Sequence, residues 1–411
     1  MTATMPAAPA TRWGQLALGV ICMVAIASPQ YAWALLTGPL GRRLGTAPAA
    51  LQVTFSLLIV LQTFFSPMQG WLADRYGPRR LIAAGALLTG LSWGLAAFAM
   101  SLPMLWLSYG VVGGFGTGIV YVGVIGQMAA WFPDRRGFAT GMAAAGYGMG
   151  AILTTFPISV SLDTAGVQAT LLRFGLGFAA VGLLAAQGLR PPPAAAGAGT
   201  DDAGMPVTAL LRHRVFWVMF VMMTLMATSG LMVTSQLGVL AGDFGVARAT
   251  VWGMAALPLA LTIDRVANGL TRPFFGWLSD RIGRERTMAL AFSLEAAAMA
   301  AWLALHGNPV LFVVLSGVVF FGWGEIFSLF PATLTDTFGH RNATRNYGCL
   351  YVAQGIGAIL GGPLASLLHT AAGSWTAVFA AAIAGDLLAA ALALAVLRPL
   401  RRRIGTARAG R

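Results

Sequence analysis

The chain has no lysine: all 26 of its basic residues, in 411, are arginine. Any site that relies on a particular lysine is thereby excluded. Charge of either sign is scarce, at 9% of residues, where soluble domains carry about one-quarter. With 57% hydrophobic residues and a mean hydropathy of +0.75, a soluble globular protein is excluded too. The two cysteines, Cys22 and Cys349, fall inside apolar runs, which argues against a disulfide framework and leaves no metal-ligand spacing. None of the four histidines (His213, His306, His340, His369) sits in the middle of such a run, so neither a histidine proton relay nor a metal site is expected. No nucleophile-base arrangement, phosphate-binding loop or soluble domain is visible. The expectation is therefore a non-enzyme without catalytic residues, metal or cofactor.

What the chain does have is apolar length. Runs of 20 or more residues recur at 16–40, 49–72, 81–101, 103–130, 138–161, 170–189, 214–238, 251–277, 287–306, 309–332, 346–369 and 374–397. At ~1.5 Å per residue each can cross a hydrocarbon core of ~30 Å as a helix. Membrane strands would need only ~10 alternating residues, which these Ala-, Leu- and Gly-rich runs do not resemble. The first run follows Arg12, carries Gln30, Tyr31 and Trp33 and shows no convincing cleavage site, so it reads as a retained helix. Twelve spans with both termini in the cytoplasm place twenty arginines on the cytoplasmic side and four outside (Arg42, Arg43, Arg173, Arg248), with two inside a span. The net charge of +13 is then a statement of topology, not of nucleic-acid binding. An all-α protein of the bacterial inner membrane, in contact with lipid and monomeric, is expected.

The sequence also repeats. Pro67-Met-Gln-Gly70-Trp71-Leu72-Ala-Asp74-Arg75-Tyr-Gly77 recurs as Pro273-Phe-Phe-Gly276-Trp277-Leu278-Ser-Asp280-Arg281-Ile-Gly283, seven of eleven positions identical at an offset of 206 residues. Two parallel six-helix halves follow, 1–189 and 214–411, joined by a cytoplasmic linker at 190–213 whose Pro191 to Pro193, Ala/Gly run and Asp201-Asp202 read as flexible. Each repeated element lies between the second and third helix of its half. Gly70 and Gly276 permit close helix approach, Gly77 and Gly283 suit tight turns, and Asp74 and Asp280 can accept hydrogen bonds from arginines or helix N-termini.

Charge inside a span is costly and by default functional. On the eighth helix Arg265, Asn268 and Arg272 fall at i, i+3 and i+7, one stripe of an otherwise apolar helix. The simplest ligand for buried cations is an anion, and a guanidinium matches a carboxylate through two parallel hydrogen bonds. Arg272 is the first candidate anchor, with Asn268 one turn away to orient it or to donate to a second substrate oxygen. Arg265 lies about 10 Å further along the axis. It is either a second cation or is neutralised internally by Asp264, and Asp264 and Arg265 fall nearer the middle of the span than Arg272. Glu295, Glu325 and Asp386 are the other acids expected within spans. An intramembrane carboxyl can load and release a proton, and Asp264 and Glu325 are the stronger candidates for that role.

The pattern G-x-x-x-D-R-x-G-x-R after the second helix resembles the signature loop of the major facilitator superfamily, and helix count, repeat and linker agree with it over the whole chain. The resemblance implies a cytoplasmic gate in which Gly70, Asp74, Arg75 and Gly77, with Gly276, Asp280, Arg281 and Gly283, lock the halves in the outward-open state. Trp131-Phe-Pro-Asp-Arg-Arg-Gly137, Gln30-Tyr31-Ala-Trp33 and Asn268-x-x-x-Arg272-Pro273 resemble one branch of it, the oxalate/formate antiporters and their monocarboxylate transporter relatives. That implies Arg272 as the substrate-binding cation and an aromatic enclosure of Tyr31, Trp33, Tyr121, Trp323 and Phe327, of which Tyr121 and Phe327 are also related by the 206-residue repeat. The branch places a lysine on helix 11, and here Gln354 stands at that position. A dianion would then face too little positive charge unless Arg265 supplies it. The functional expectation is a secondary active transporter of small organic carboxylates working by alternating access, by oxalate/formate-type exchange or alternatively by proton-coupled monocarboxylate symport. A drug-efflux facilitator is the rival reading.

Overall fold

The computed structural model describes residues 9–46, 48–192, 204–246, 249–340 and 342–409. It is helical almost throughout. Among the described residues eight helices are long and apolar enough on their own to cross a membrane, and the bent pair Val53–Phe64 and Ser66–Ala73 is a ninth. Arg136–Gln187 serves as two spans, because Gly166 breaks it with φ 77° and ψ 172°. Pro78–Ala96, which starts with two arginines, and Ala256–Ile282, which carries Asp264, Arg265 and Arg272, are long enough but more polar. The architecture is that of twelve transmembrane helices in two six-helix repeats.

In chain order, helix 1 comprises Pro9–Ala25, Ser28–Tyr31 and Trp33–Leu44, and helix 2 comprises Pro48–Phe64 and Ser66–Tyr76. Helix 3 is Pro78–Ala96 and helix 4 is Leu102–Trp131. Helices 5 and 6 are the two parts of Arg136–Gln187, helix 7 is Arg214–Asp243, helix 8 Ala256–Ile282 and helix 9 Arg284–Leu305. Helix 10 is Pro309–Phe338, helix 11 Ala343–Ala372 and helix 12 starts at Trp375. One departure from an all-helical chain is a two-residue ribbon, Thr250–Val251 with Met254–Ala255, in which Thr250 pairs with Ala255.

The helix breaks follow from local chemistry. Pro29 interrupts helix 1, and Pro67 follows the 52° bend of helix 2, each removing a backbone donor. Helix 10 breaks at Gly324-Glu325 and restarts with the Ser328 hydroxyl and the Leu329 amide both donating to the Glu325 carbonyl, each at 2.9 Å.

The chain clusters into two compact units that do not follow the sequence halves to the residue. The first comprises Met1–Pro133, Met142–Val207 and Phe338–Val352; the second comprises Asp134–Gly141, Thr208–Thr337 and Ala353–Arg411. In the first unit small residues let backbones meet: a Cβ on Gly116 would lie 2.6 Å from the Thr89 nitrogen, and one on Gly175 would lie 2.7 Å from the Gly90 carbonyl. Most of the expected linker, 193–203, lies outside the described residues. Its end is tied down, since Met205 donates to the Phe338 carbonyl (2.8 Å) and Asn346 donates back to the Met205 carbonyl (3.0 Å).

Candidate functional site

Helix 8 buries Asp264, Asn268 and Arg272, at i, i+4 and i+8, and leaves Arg265 half-buried. The two arginines of the expected stripe therefore differ in burial: Arg272 is buried and Arg265 half-buried. Arg265 lies within electrostatic range of Asp264, which also stands beside Ser316 of helix 10. Arg272 is 1% exposed. Its Nη2 donates to Asn268 Oδ1 at 2.6 Å, and its guanidinium carbon stands 4.5 Å from the centroid of the Phe327 ring. A hydrogen bond on one side and a π-face on the other fix the plane of the fork, which presents donors in a set direction.

The helix 10 break is what brings this turn its neighbours. A Cβ on Gly324 would lie 2.9 Å from the Asn268 carbonyl, so helix 10 can approach here only as glycine. Glu325, the next residue, is fully buried and within electrostatic range of Arg272. Trp323 packs edge-on to Phe327 (5.6 Å, 83°) and lies against Gly230 of helix 7, where a side chain would overlap its indole. Gln354 is buried on the helix 11 segment of the same unit.

In the first unit, Tyr31 and Tyr121 are joined by a residue that the sequence did not single out. Tyr147 of helix 5 lies 5.3 Å from Tyr31 and 5.1 Å from Tyr121, and Tyr121 stacks on Tyr351 at 5.0 Å and 18°. The Tyr147 hydroxyl donates to Gln30 Oε1 (2.5 Å) and accepts from Gln62 Nε2 (3.2 Å). Scarcity was the available signal: the chain has 7 tyrosines, and Tyr31, Tyr121, Tyr147, Tyr347 and Tyr351 form one chain of ring contacts. Trp33 belongs elsewhere, in the apolar core with Leu36, Leu58 and Trp93, 4.8 Å from Tyr109.

The repeated loops behave alike. Gly77 (φ 84°) and Gly283 (φ 96°) make the turns that require positive φ. Arg75 and Arg281 lie over Trp71 and Trp277, at 5.2 and 4.2 Å, as cation-π pairs. In the first unit a Cβ on Gly70 would lie 2.7 Å from the Thr344 carbonyl; in the second, one on Gly276 would overlap Gly137. Asp280 accepts from the backbone amides of Gly137 (3.1 Å) and Phe138 (2.9 Å) at the start of helix 5, and pairs with Arg284 (2.5 Å). Asp336 bridges Arg284 (2.9 Å) and Arg136 (2.6 Å), so two carboxylates and two arginines tie the start of helix 5 to helices 8, 9 and 10. The side chain of Asp74 lies outside the described residues.

Comparison with known proteins agrees with this architecture. A family model described as Major Facilitator Superfamily matches residues 16–263 and 221–410. The chain is 32% identical to an oxalate:formate antiporter of Oxalobacter formigenes over 401 residues, 96% of this chain and 94% of that one. It is 26% identical to monocarboxylate transporter 13 of Bos taurus over 84% of this chain and 79% of that protein. In fold it is similar to the proton:xylose symporter XylE bound to 6-bromo-6-deoxy-D-glucose, with a TM-score of 0.68 at 13% identity over 94% of this chain and 96% of the other. The chain belongs to the Major Facilitator Superfamily, as a multi-pass membrane transporter and not an enzyme.

Proposed function

We propose that this transporter moves small monoanionic carboxylates by alternating access, with Arg272 as the anchor of the carboxylate. The observation that carries the reading is a fully buried guanidinium whose plane is set by two neutral groups, Asn268 and Phe327. Such a fork is worth its burial where it meets a bidentate anion. Gln354 on helix 11 is neutral, where a cation would be needed to balance a second charge, which favours one negative charge over two. The 32% identity to an oxalate:formate antiporter supports carboxylates and exchange. Proton-coupled symport is the second reading, and the specific feature favouring it is Glu325 within electrostatic range of Arg272. A monomer in a bacterial inner membrane, both termini cytoplasmic, with the repeated loops and the Asp280–Arg284–Asp336 network as the cytoplasmic gate, completes the proposal.

The test is uptake of labelled formate, oxalate and lactate into proteoliposomes, with and without internal carboxylate and with an imposed pH gradient, alongside Arg272→Gln. Uptake that requires internal carboxylate establishes exchange; uptake into empty vesicles driven by the gradient establishes symport. Normal transport by Arg272→Gln, or inhibition by an organic cation and by no carboxylate, would sink the reading in favour of drug efflux.

A further inference from the structure

The second unit contains a group of carboxyls that no part of the anion anchor requires. Ser229 of helix 7 donates to Glu295 Oε1 of helix 9 at 2.5 Å, and Asp386 of helix 12 stands beside the same serine. Ser229, Glu295 and Asp386 are all 0% exposed. Glu295 Oε2 and both oxygens of Asp386 meet no hydrogen-bond donor among the described residues. A second observation is separate from this cluster. Glu325, in the helix 10 break, is likewise 0% exposed, has neither oxygen bonded among the described residues, and lies within electrostatic range of Asp386, Glu295 and Arg272. Gly322, one turn earlier, lets helix 10 rest directly on the backbone of Glu295, where a Cβ would lie 2.9 Å from the Glu295 nitrogen.

The charge inventory around this group is short. Helix 7 offers Ser229, helix 9 Glu295, helix 10 Glu325, helix 12 Asp386 and the helix 11 segment of the unit Gln354. Helix 8 offers Arg272, with Asp264 and Arg265 as a pair of their own further along. No three His, Cys, Asp or Glu side chains among the described residues are placed to hold a metal ion. Of these three carboxyls Glu325 is the one within electrostatic range of the Arg272 guanidinium, and ionised carboxylates away from water require a cation each. An anion arriving at Arg272 draws on that same guanidinium. The cation that can enter where a metal does not fit is the proton.

We propose that Ser229, Glu295, Asp386 and Glu325 form a proton-binding site, and that its occupancy is linked to the occupancy of Arg272 by an anion. The proton moves from water to a carboxylate oxygen, no other bond forms or breaks, and the added positive charge balances the charge of the incoming carboxylate. By linkage the anion raises the affinity for the proton as much as the proton raises the affinity for the anion. The second half of this proposal rests on Arg272 as the anion anchor; the first half stands without it.

The experiment has two arms on the purified full-length transporter. Infrared difference spectra between acid and alkaline medium, with no substrate present, should show a buried protonated-carboxyl band that is diminished in Glu295→Gln, Asp386→Asn and Glu325→Gln. A wild-type spectrum without such a band, or variants that leave it intact, overturns the site whatever substrate the protein takes. In the other arm, formate is added in weakly buffered medium with a pH dye. The wild type should take up about one proton per formate bound and lose at least ~10-fold in affinity between about pH 6 and pH 8, and Glu325→Gln should lose less than ~2-fold. Formate binding with no proton uptake and no pH dependence overturns the linkage and leaves the anchor standing. A titrating band with no binding of formate, oxalate or lactate overturns the anchor, and with it the linkage, and leaves the site standing.

Discussion

The two compact units share one repeated plan and differ in charge. Both loops turn at a positive-φ glycine, both place an arginine over the tryptophan four residues before it, and Gly116 meets Thr89 as Gly322 meets Glu295. Yet among the described residues every buried charged side chain belongs to the second unit: Asp264, Arg272, Arg284, Glu295, Glu325 and Asp386. At the 206-residue offset the first unit has Gln62 for Asn268, Ser66 for Arg272, Thr89 for Glu295 and Ile119 for Glu325. Ser66 spends its hydroxyl on the backbone carbonyl of Gly348 (2.6 Å), and Gln62 meets Tyr147. The lesson is a division of constraint. Turns and close approaches are demands of the backbone and appear in both copies, whereas buried charge costs several kcal/mol per ion and among the described residues appears in the second unit alone.

The most direct way to break the comparison is to make the second unit as neutral as the first. Arg272→Gln should lower carboxylate uptake by roughly 100-fold or more, since losing one partner of a buried, hydrogen-bonded charge pair costs ~3–5 kcal/mol. Arg272→Lys keeps the charge and loses the fork, so it should fall between the two. The converse substitution charges the first unit. Thr89 is fully buried, hydrogen-bonded to the Gly85 carbonyl and pressed against Gly116. Thr89→Glu should lower folded yield and thermal midpoint sharply, with a penalty of at least ~2 kcal/mol for an unpaired buried carboxyl, whereas Glu295→Gln at the equivalent place should remain folded. A Thr89→Glu protein as stable as the wild type would show that the units do not differ in tolerance for charge.

Much of this was legible in the sequence. The twelve spans follow from hydropathy, the two-fold plan from the seven identities in the repeated loop, and Arg272 with Asn268 from the cost of polar groups within a span. What was not legible depends on helix phase and on contacts between distant segments. A stripe counted at i, i+3 and i+7 includes Arg265; the structure buries the i+4 series that starts at Asp264. The pairing of Ser229 with Glu295 spans 66 residues, and Trp33 stands two residues from Tyr31 yet enters a different cluster because helix 1 is interrupted at Ala32. Tyr147 carried no charge to mark it, and its place between Tyr31 and Tyr121 is a product of packing.

That tyrosine gives a smaller test of the neutral unit. Tyr147→Phe removes the hydroxyl that joins Gln30 to Gln62 and keeps the ring against Tyr31 and Tyr121. A neutral hydrogen bond contributes ~0.5–1.5 kcal/mol, so the KM for the best carboxylate should change by less than about 10-fold with uptake retained. Loss of transport on the scale of Arg272→Gln would mean that the first unit contributes as much to substrate binding as the charged one.

The smallest effect separates charge inside the second unit from charge at its edge. His213 precedes helix 7, and its Nδ1 accepts from the Val215 amide at 3.2 Å, which caps the helix. Partial burial holds this imidazole below its usual pKa of 6.5, and the cap requires the neutral ring, because a protonated nitrogen has no lone pair to offer. A folded-state value below the unfolded one means that the neutral form is favoured by folding. The contribution is therefore complete above the unfolded value and is lost as the pH falls through the folded one. His213→Asn keeps a cap acceptor that does not titrate. Between about pH 7.5 and pH 5 the thermal midpoint of the wild type should fall further than that of His213→Asn, by about a degree. Equal falls would show that the cap contributes nothing to the acid sensitivity of the second unit.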